Sequence, residues 1–199
     1  MYAGLEELHQ ALSNCQRCTL AATRTHVICG AGCEEAHLFL LGEAPGGDED
    51  RSGIPFTGQA GKELDEFLKI LGISRENIYI SNTVKCRPTK PSARARYGVY
   101  ANRKPHSVEI KACSDWLEEE IKIIKPKVIV TLGGVPLSRI IGKQVKVGDF
   151  RGRKFFSQRY GCYVFPLYHP AAVIYDRSKR DVYLSDLKEL RRELEEEFA

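Results

Sequence analysis

Four short apolar segments recur along the chain, at residues 37–41, 78–84, 127–132 and 162–168. Each is rich in β-branched or aromatic residues, which is typical of buried strands. Stretches with helical periodicity separate most of them: "GKELDEFLKILGI", "SVEIKACSDWLEEEIKII" and, near the end, "SDLKELRRELEEEF". This alternation predicts an α/β fold, a three-layer αβα sandwich with a central, mainly parallel sheet of four strands.

Polar or flexible residues follow each predicted strand at its carboxyl end. Gly42 and Glu43 follow the first, Asn82 lies near the carboxyl end of the second, two glycines follow the third, and His169 follows the fourth. Ligands of such sheets bind beyond the carboxyl ends of the strands. We therefore expect these segments to converge on one cleft.

The length and composition indicate one domain spanning residues 1–199. With 199 residues and 43% hydrophobic content, the chain is long enough to bury a core. It has no apolar run of the roughly 18 residues that a membrane-spanning helix requires, and no basic-then-apolar leader. We expect a cytoplasmic protein, a monomer with no membrane partner.

Basic residues are unevenly distributed although the net charge is only +4. Seven lysines and arginines and no acidic residue lie between Lys85 and Lys104, whereas the chain ends in "ELEEEFA". A basic segment of this kind suits a polyanion such as nucleic acid. A solvated loop without a partner is the alternative.

The seven cysteines are an odd number, which argues against a disulfide framework. Cys15 and Cys18 are two residues apart, so that both sulfurs can reach one ion or cluster. A second such pair is missing, and Cys86 and Cys113 are the expected further ligands. Four thiolates hold zinc or a four-iron four-sulfur cluster, and the spacing does not separate the two. Cys29, Cys33 and Cys162 are expected not to be ligands.

Six further motifs appear in order along the chain: "GEAPGGDED", "GIPFTGQAG", "YISNTVKCRP", "NRKPHSVEIKAC", "TLGG" and "YHPAAVI". With Cys15 and Cys18 in front, this set resembles the family 4 uracil-DNA glycosylases, the iron-sulfur type of thermophilic bacteria and archaea. The resemblance covers residues 5–188. It implies a monofunctional enzyme that flips uracil out of DNA, hydrolyses its N-glycosidic bond and leaves an abasic site.

The resemblance also implies a uracil pocket formed by Gly42, Ala44, Glu49, Phe56, Asn82 and His169. Phe56 would stack on the base, and the Asn82 amide would match the N3–H and O4 of uracil. His169 would donate to uracil O2 as negative charge develops there. Taken alone, these residues are typical of core packing, a turn and a strand end.

Two acidic residues have roles that the resemblance leaves open. Glu43 lies where better-known uracil glycosylases carry an aspartate-bearing segment, but Ala44 occupies the position of that aspartate. We expect Glu43 to activate the water, helped by the backbone at Ala44. Glu49 is expected to form a pocket wall that excludes the thymine methyl group.

The cofactor and DNA contacts follow from the same resemblance. It implies a 4Fe-4S cluster on Cys15, Cys18, Cys86 and Cys113, with zinc as the less favoured alternative. Val173 and Ile174 suit a wedge that fills the gap left by the flipped base. The residues expected to contact the phosphates of single- or double-stranded DNA are Arg87, Arg94, Arg96 and Arg177.

Three other functions compete with this interpretation. A catalytically idle iron-sulfur or zinc nucleic-acid-binding module would need the cysteines and the basic segment but not Glu43, Asn82 and His169. A redox enzyme with a dinucleotide loop is disfavoured, because "LLGEAPGG" lacks G-x-G-x-x-G spacing. A covalently trapping relative carries a basic insert that ends in a nucleophilic histidine. His106 lies nearby, but the "KRRIH" run is missing here.

Overall fold

A six-stranded sheet forms the centre of the molecule, with strand order β1-β3-β2-β6-β8-β7. The computed structural model describes residues 2–93 and 99–198, with the side chains at positions 173–175, 177 and 198 outside the description. The strands of this sheet are β1 (Ala31–Gly32), β2 (Leu38–Gly42), β3 (Ile78–Asn82), β6 (Val128–Leu132), β7 (Phe155–Ser157) and β8 (Cys162–Leu167). A separate hairpin pairs β4 (Thr89–Pro91) with β5 (Tyr100–Asn102).

The four inner strands, β3, β2, β6 and β8, are parallel and are the four that the sequence predicts. The predicted number of strands in the sheet was too low, because β1 and β7 add antiparallel edges. These edge strands have two and three residues and no fully buried position. They therefore carry no apolar run of the kind that marks a strand in a sequence.

Helices cover both faces of the sheet, as expected for three layers. They are α1 (Leu5–Ser13), α2 (Gly47–Ser52), α3 (Gln59–Leu71), α4 (Ser107–Ile124), α5 (Gly134–Ile141), α6 (Pro170–Tyr175) and α7 (Arg180–Phe198). Alternate residues of a strand point to opposite faces. Phe39 of β2 accordingly packs with α1 and α4, whereas Leu40 packs with α3 and α7.

Helix α4 shows how local sequence fixes an element that borders the site. The Glu109 side chain accepts a hydrogen bond from the His106 backbone N–H at 2.7 Å, which closes a capping box at the first turn. Arg103 also donates to this carboxylate, and the ion pair lowers the pKa of Glu109. Lys125 ends the helix in a left-handed conformation, with φ of 49°. No helix in the described part of the chain combines the length and apolar character needed to cross a bilayer.

Candidate active site

The carboxyl ends of the parallel strands bring the predicted site residues to one edge of the sheet. Gly42 at the end of β2 lies opposite Asn82 at the end of β3. The next two strands, β6 and β8, end at Leu132 and Leu167, which are also paired. His169 follows β8 and caps helix α6. The cleft predicted from strand ends is thus formed by strands that are direct neighbours.

Gly42 is the point of contact between Asn82 and Phe56. A Cβ atom at Gly42 would lie 2.3 Å from Asn82 Oδ1 and 2.7 Å from Phe56 Cζ. The amide and the aromatic ring therefore both pack on bare backbone. Any side chain at position 42 would displace one of them.

Phe56 is held in an unusual backbone conformation. Its φ is 54°, in the left-handed region that non-glycine residues rarely adopt, and its ring is buried. The Arg75 guanidinium donates to the carbonyl oxygens of Phe56 and Gly61, each at 3.0 Å. Strain of this kind costs about 1–3 kcal/mol and persists only when the surroundings enforce it. Arg75 is one enforcing contact, and no sequence signal pointed to it.

His169 presents a defined neutral tautomer to the cleft. Its Nδ1 accepts a hydrogen bond from the Ala171 N–H at 3.1 Å, so the proton of the neutral ring is on Nε2. Burial lowers the pKa of His169 to about 4, although the charge of Glu49 opposes this shift. The ring lies within 23° of parallel to that of Phe56, with centroids 6.5 Å apart. At neutral pH, His169 is therefore an uncharged N–H donor beside Phe56.

Glu43 is a half-buried carboxylate that directly follows Gly42 in the chain. Burial raises its pKa, while the nearby charge of Lys104 opposes the rise. The backbone beside it is firmly held, because Thr83 donates to the Gly42 carbonyl oxygen through both its N–H and its hydroxyl, each at 2.9 Å. A raised carboxyl pKa in a cleft is typical of a catalytic acid or base. Ala44 packs against the core on the α1 and α4 side and has no polar side chain.

Glu49 braces two loops of the site. One carboxylate oxygen accepts from the Gly46 N–H and the other from the Gly58 N–H, both at 2.9 Å. The side chain is buried, and the two bonds fix the turn after β2 to the segment that carries Phe56. The expected exclusion of the thymine methyl group stays a prediction. The bracing contact was not expected from the sequence, although a glutamate at the third position of α2 is a capping-box signal.

Four cysteines from separate parts of the chain line one small cavity: Cys15, Cys18, Cys86 and Cys113. Three N–H groups point at their sulfurs. Trp116 Nε1 donates to Cys15 at 3.3 Å, the Lys85 backbone N–H donates to Cys113 at 3.3 Å, and Arg24 donates to Cys86 at 3.5 Å. Hydrogen bonds of this kind stabilise thiolate ligands.

The four thiols are the donor type that a thiolate-ligated metal group requires, and the other three cysteines do not line the cavity. Across residues 2–93 and 99–198, no three His, Cys, Asp or Glu side chains are grouped closely enough to hold a single ion.

The basic segment is only partly a surface feature. Lys85 is fully buried, and its ammonium group donates to Ser81 and Glu120. Arg87 is also buried, and its guanidinium donates to the Asn102 side chain at 2.7 Å and to the Tyr100 carbonyl oxygen at 3.2 Å. In this conformation Arg87 holds the β4–β5 hairpin instead of facing solvent, so the expected DNA contact at Arg87 has no support here. A tally of charges along a sequence cannot reveal such internal pairing.

The remaining predicted DNA contacts fall outside what the structure describes. Arg94 and Arg96 lie in the undescribed residues 94–98. The side chains of Val173, Ile174 and Arg177 are likewise not described, although the backbone of α6 begins directly after His169. His106, the residue considered for covalent trapping, is exposed at the start of α4.

Comparison with a solved structure agrees with this architecture. The crystal structure of wild-type SMUG2 from Pedobacter heparinus aligns with a TM-score of 0.55 at 17% sequence identity, covering 79% of this chain and 77% of that one. At this identity the likeness concerns the fold.

Sequence comparisons identify the family. The model of the uracil DNA glycosylase superfamily matches residues 29–195. A type-4 uracil-DNA glycosylase of Sulfurisphaera tokodaii is 38% identical over 94% of this chain and 83% of its own length. Another, of Archaeoglobus fulgidus, is 36% identical over 94% of this chain and 91% of its own. A third, of Thermotoga maritima, is 37% identical over 92% of this chain and 91% of its own length. The chain belongs to the uracil DNA glycosylase superfamily.

Proposed function

We propose that this protein is a DNA repair enzyme that hydrolyses the N-glycosidic bond of uracil in DNA, releasing uracil and leaving an abasic site. The observation that carries the proposal is the contact of Phe56 and Asn82 at Gly42, with a neutral His169 ring beside Phe56. The type-4 uracil-DNA glycosylases that cover nearly the whole chain support the same function. The nucleotide must leave the base stack to reach such a pocket.

Uracil would be recognised by its edge and its face. The Asn82 amide offers one acceptor for N3–H and one donor for O4, a pattern that cytosine cannot satisfy. Asn82 is buried, so an unmatched base would leave its amide without partners, which costs about 1–3 kcal/mol. Phe56 would stack on the face of the base.

His169 would stabilise the departing uracil. As the bond breaks, negative charge builds on the base and positive charge on the deoxyribose. A fixed N–H donor aimed at the developing anion lowers the barrier, and loss of one such donor typically costs 10² to 10³ in rate. Because Nδ1 is held by the Ala171 N–H, the Nε2–H is available for uracil O2.

Glu43 would orient and deprotonate the attacking water. Its burial raises its pKa toward the range useful for a general base. The backbone at Ala44 would help to hold that water, and Glu49 would wall the pocket while it braces Gly46 and Gly58. If Glu43→Gln retained the wild-type rate, this assignment would be wrong.

The cysteine cavity would hold a 4Fe-4S cluster through Cys15, Cys18, Cys86 and Cys113, with zinc as the alternative. The support is the set of four thiols in one cavity with three N–H groups directed at sulfur. When bound, the group would supply cross-links between distant segments rather than a reaction step. Broad absorption at about 400 nm that dithionite bleaches would distinguish the cluster from zinc.

DNA contacts complete the proposal. Val173 and Ile174 would fill the gap left by the flipped nucleotide, and Arg94, Arg96 and Arg177 would contact phosphates. We further propose that residues 1–199 act as one domain and as a cytoplasmic monomer. The strand itself would stay intact, since the residues assigned above to uracil binding and catalysis include no lysine that could form a Schiff base.

The direct test is a labelled duplex with one uracil, incubated with the protein and then treated with alkali. Wild type should give a strand break at the uracil only after alkali. His169→Ala should lower the rate by about 10² to 10³, whereas His106→Ala, which removes an exposed histidine, should leave it unchanged. No abasic product from folded wild type would favour the binding-module interpretation. A denaturation-resistant adduct lost in His106→Ala would indicate covalent trapping.

A further inference from the structure

A wide groove adjoins Glu43 on the side of the sheet that α4 covers. It encloses about 730 Å³ and is lined by α4 residues such as Ser107 and Lys111 and by α5 residues such as Gly134 and Arg139. Both helices begin at the edge of the sheet where Glu43 lies, so the groove starts at the candidate active site and runs between them. We call it the α4–α5 groove.

The charge of the α4–α5 groove is strongly positive. Among the described residues, Glu43 is the one carboxylate that lines it. Five basic side chains line it: Lys104, Lys111, Arg139, Lys143 and Arg159. Arg139 and Arg159 share the carboxylate of Glu118. Lys104, Lys111 and Lys143 form no salt bridge with any carboxylate that the structure describes. Lone cations of this kind are available to an anionic ligand.

The groove also has apolar and hydroxyl groups in places that suit a sugar-phosphate chain. Ile110, Val135 and Val145 are half-buried, whereas Lys104, Lys111 and Lys143 are exposed. The apolar side chains of the groove are therefore less exposed to solvent than its lysines. A deoxyribose presents apolar C–H groups and each phosphate a negative charge, so a DNA strand matches both.

The spacing along α4 fits several phosphates. Ser107 and Ser114 are seven residues apart, or about 10 Å along the helix axis. One strand of DNA carries one phosphate per about 3.4 Å of helix axis. The α4 rim alone thus extends along about three phosphates.

We propose that the α4–α5 groove binds the phosphate backbone of the uracil-bearing strand next to the flipped nucleotide, with Lys111 and Lys143 as its main phosphate contacts. The proposal rests on the proposed function, because that function places the target nucleotide beside Glu43. It adds a DNA-binding site that is separate from the hairpin and the segment after His169.

The test measures binding of undamaged DNA by fluorescence anisotropy at several salt concentrations, so that no turnover intervenes. The variant Lys111→Gln/Lys143→Gln should lower the affinity for single-stranded and duplex DNA by on the order of tenfold. The slope of log K against log salt should fall by about 1.4 on single strands and about 1.8 on duplex. Lys111→Arg/Lys143→Arg should retain the wild-type slope.

Lys188→Gln is the matched control, because Lys188 is exposed on α7 in the opposite layer. It should change neither affinity nor slope. Unchanged affinity and slope in the glutamine double variant would overturn the proposal, as would a loss confined to duplex DNA.

Failure of the groove and failure of the proposed function are distinguishable. If wild type released no uracil but the double variant still lost DNA affinity and slope, the groove would stand and the catalytic proposal would fall. If wild type released uracil and the double variant bound DNA normally, only the groove assignment would fall.

Discussion

His169 combines two properties that would ordinarily conflict, a polar role and a largely buried position. Burial disfavours the imidazolium, and the bond from Ala171 N–H to Nδ1 is possible only while that nitrogen is unprotonated. The same arrangement leaves Nε2–H as the donor. The neutral ring carries no positive charge, but its Nε2–H donor has a fixed direction.

The depressed pKa of His169 makes stability depend on pH. Between about 4, the folded pKa, and the ordinary value of 6.5, the unfolded chain binds more protons than the folded one. The free energy of unfolding should therefore fall as the pH falls through this window, by at most about 3 kcal/mol. His169→Gln removes this contribution, so urea titrations of the variant should show a weaker pH dependence. An equal dependence in both proteins would contradict the neutral assignment.

Lys104 should set the lower pH limit of activity through Glu43. Its charge favours the ionised carboxylate, so Lys104→Met should raise the pKa of Glu43 further. A base must be deprotonated to act, and the acidic limb of the pH–rate profile should accordingly move to higher pH. The control is Lys90→Met, on the exposed β4–β5 hairpin, which should leave the limb in place. An unmoved limb in Lys104→Met would argue against Glu43 as the base.

At the scale of elements, strand β3 and the segment after it connect the pocket to the interior. Asn82 ends the strand, while Ser81 faces a buried network in which Lys85 pairs with Glu120 of α4. Glu120 also accepts from the Gly30 N–H at 3.2 Å and from the Tyr79 hydroxyl at 3.4 Å. The network thus fixes β3 against α4 directly beneath the site.

Removing one charged partner from this network should lower the free energy of unfolding substantially. Glu120→Gln leaves the buried ammonium of Lys85 without its counter-charge, and loss of one partner from a buried ion pair typically costs about 3–5 kcal/mol. Chemical denaturation should show a loss of this size. The control Glu66→Gln breaks the exposed pair with Lys69 and should change stability by less than about 1 kcal/mol. Equal effects of the two substitutions would mean that the buried pair is not a structural link.

The sequence predicted those elements that are marked by a local run of apolar residues. Apolar runs marked the four parallel strands, and the rule that ligands bind beyond strand ends predicted that Gly42, Asn82 and His169 share one cleft. The edge strands and the β4–β5 hairpin were missed because they are short and partly exposed. Phe56 had to be interpreted through resemblance alone, since its left-handed φ depends on Arg75, 19 residues away.

At the scale of the whole molecule, the cysteine cavity joins segments that are far apart in the chain. Cys15 follows α1, Cys18 precedes a short helical turn, Cys86 follows β3 and Cys113 lies within α4. Cys113 also accepts the backbone N–H of Lys85, the residue of the buried network. A group bound here would tie α1 and α4 to the strand that carries Asn82.

Removing one thiol should therefore affect the whole fold. If the cavity holds the proposed 4Fe-4S cluster, Cys113→Ser should lose the absorption at about 400 nm and the bound iron and should lower the Tm. Cys33→Ser is the control, because Cys33 is half-buried and does not line the cavity. It should retain absorption, iron content and Tm. Full iron content in Cys113→Ser would contradict the ligand assignment.

The central claim is that the pocket around Gly42 releases uracil by reading its edge through Asn82. The most direct measurement is the amount of free base released from otherwise identical duplexes that carry uracil, cytosine or thymine at one position. Wild type should release uracil alone, and Asn82→Ala should be slower by about 10² or more. Asn77→Ala, which removes an exposed asparagine just before β3, should match wild type. Wild-type rates in Asn82→Ala, or no free uracil from folded wild type, would contradict the account.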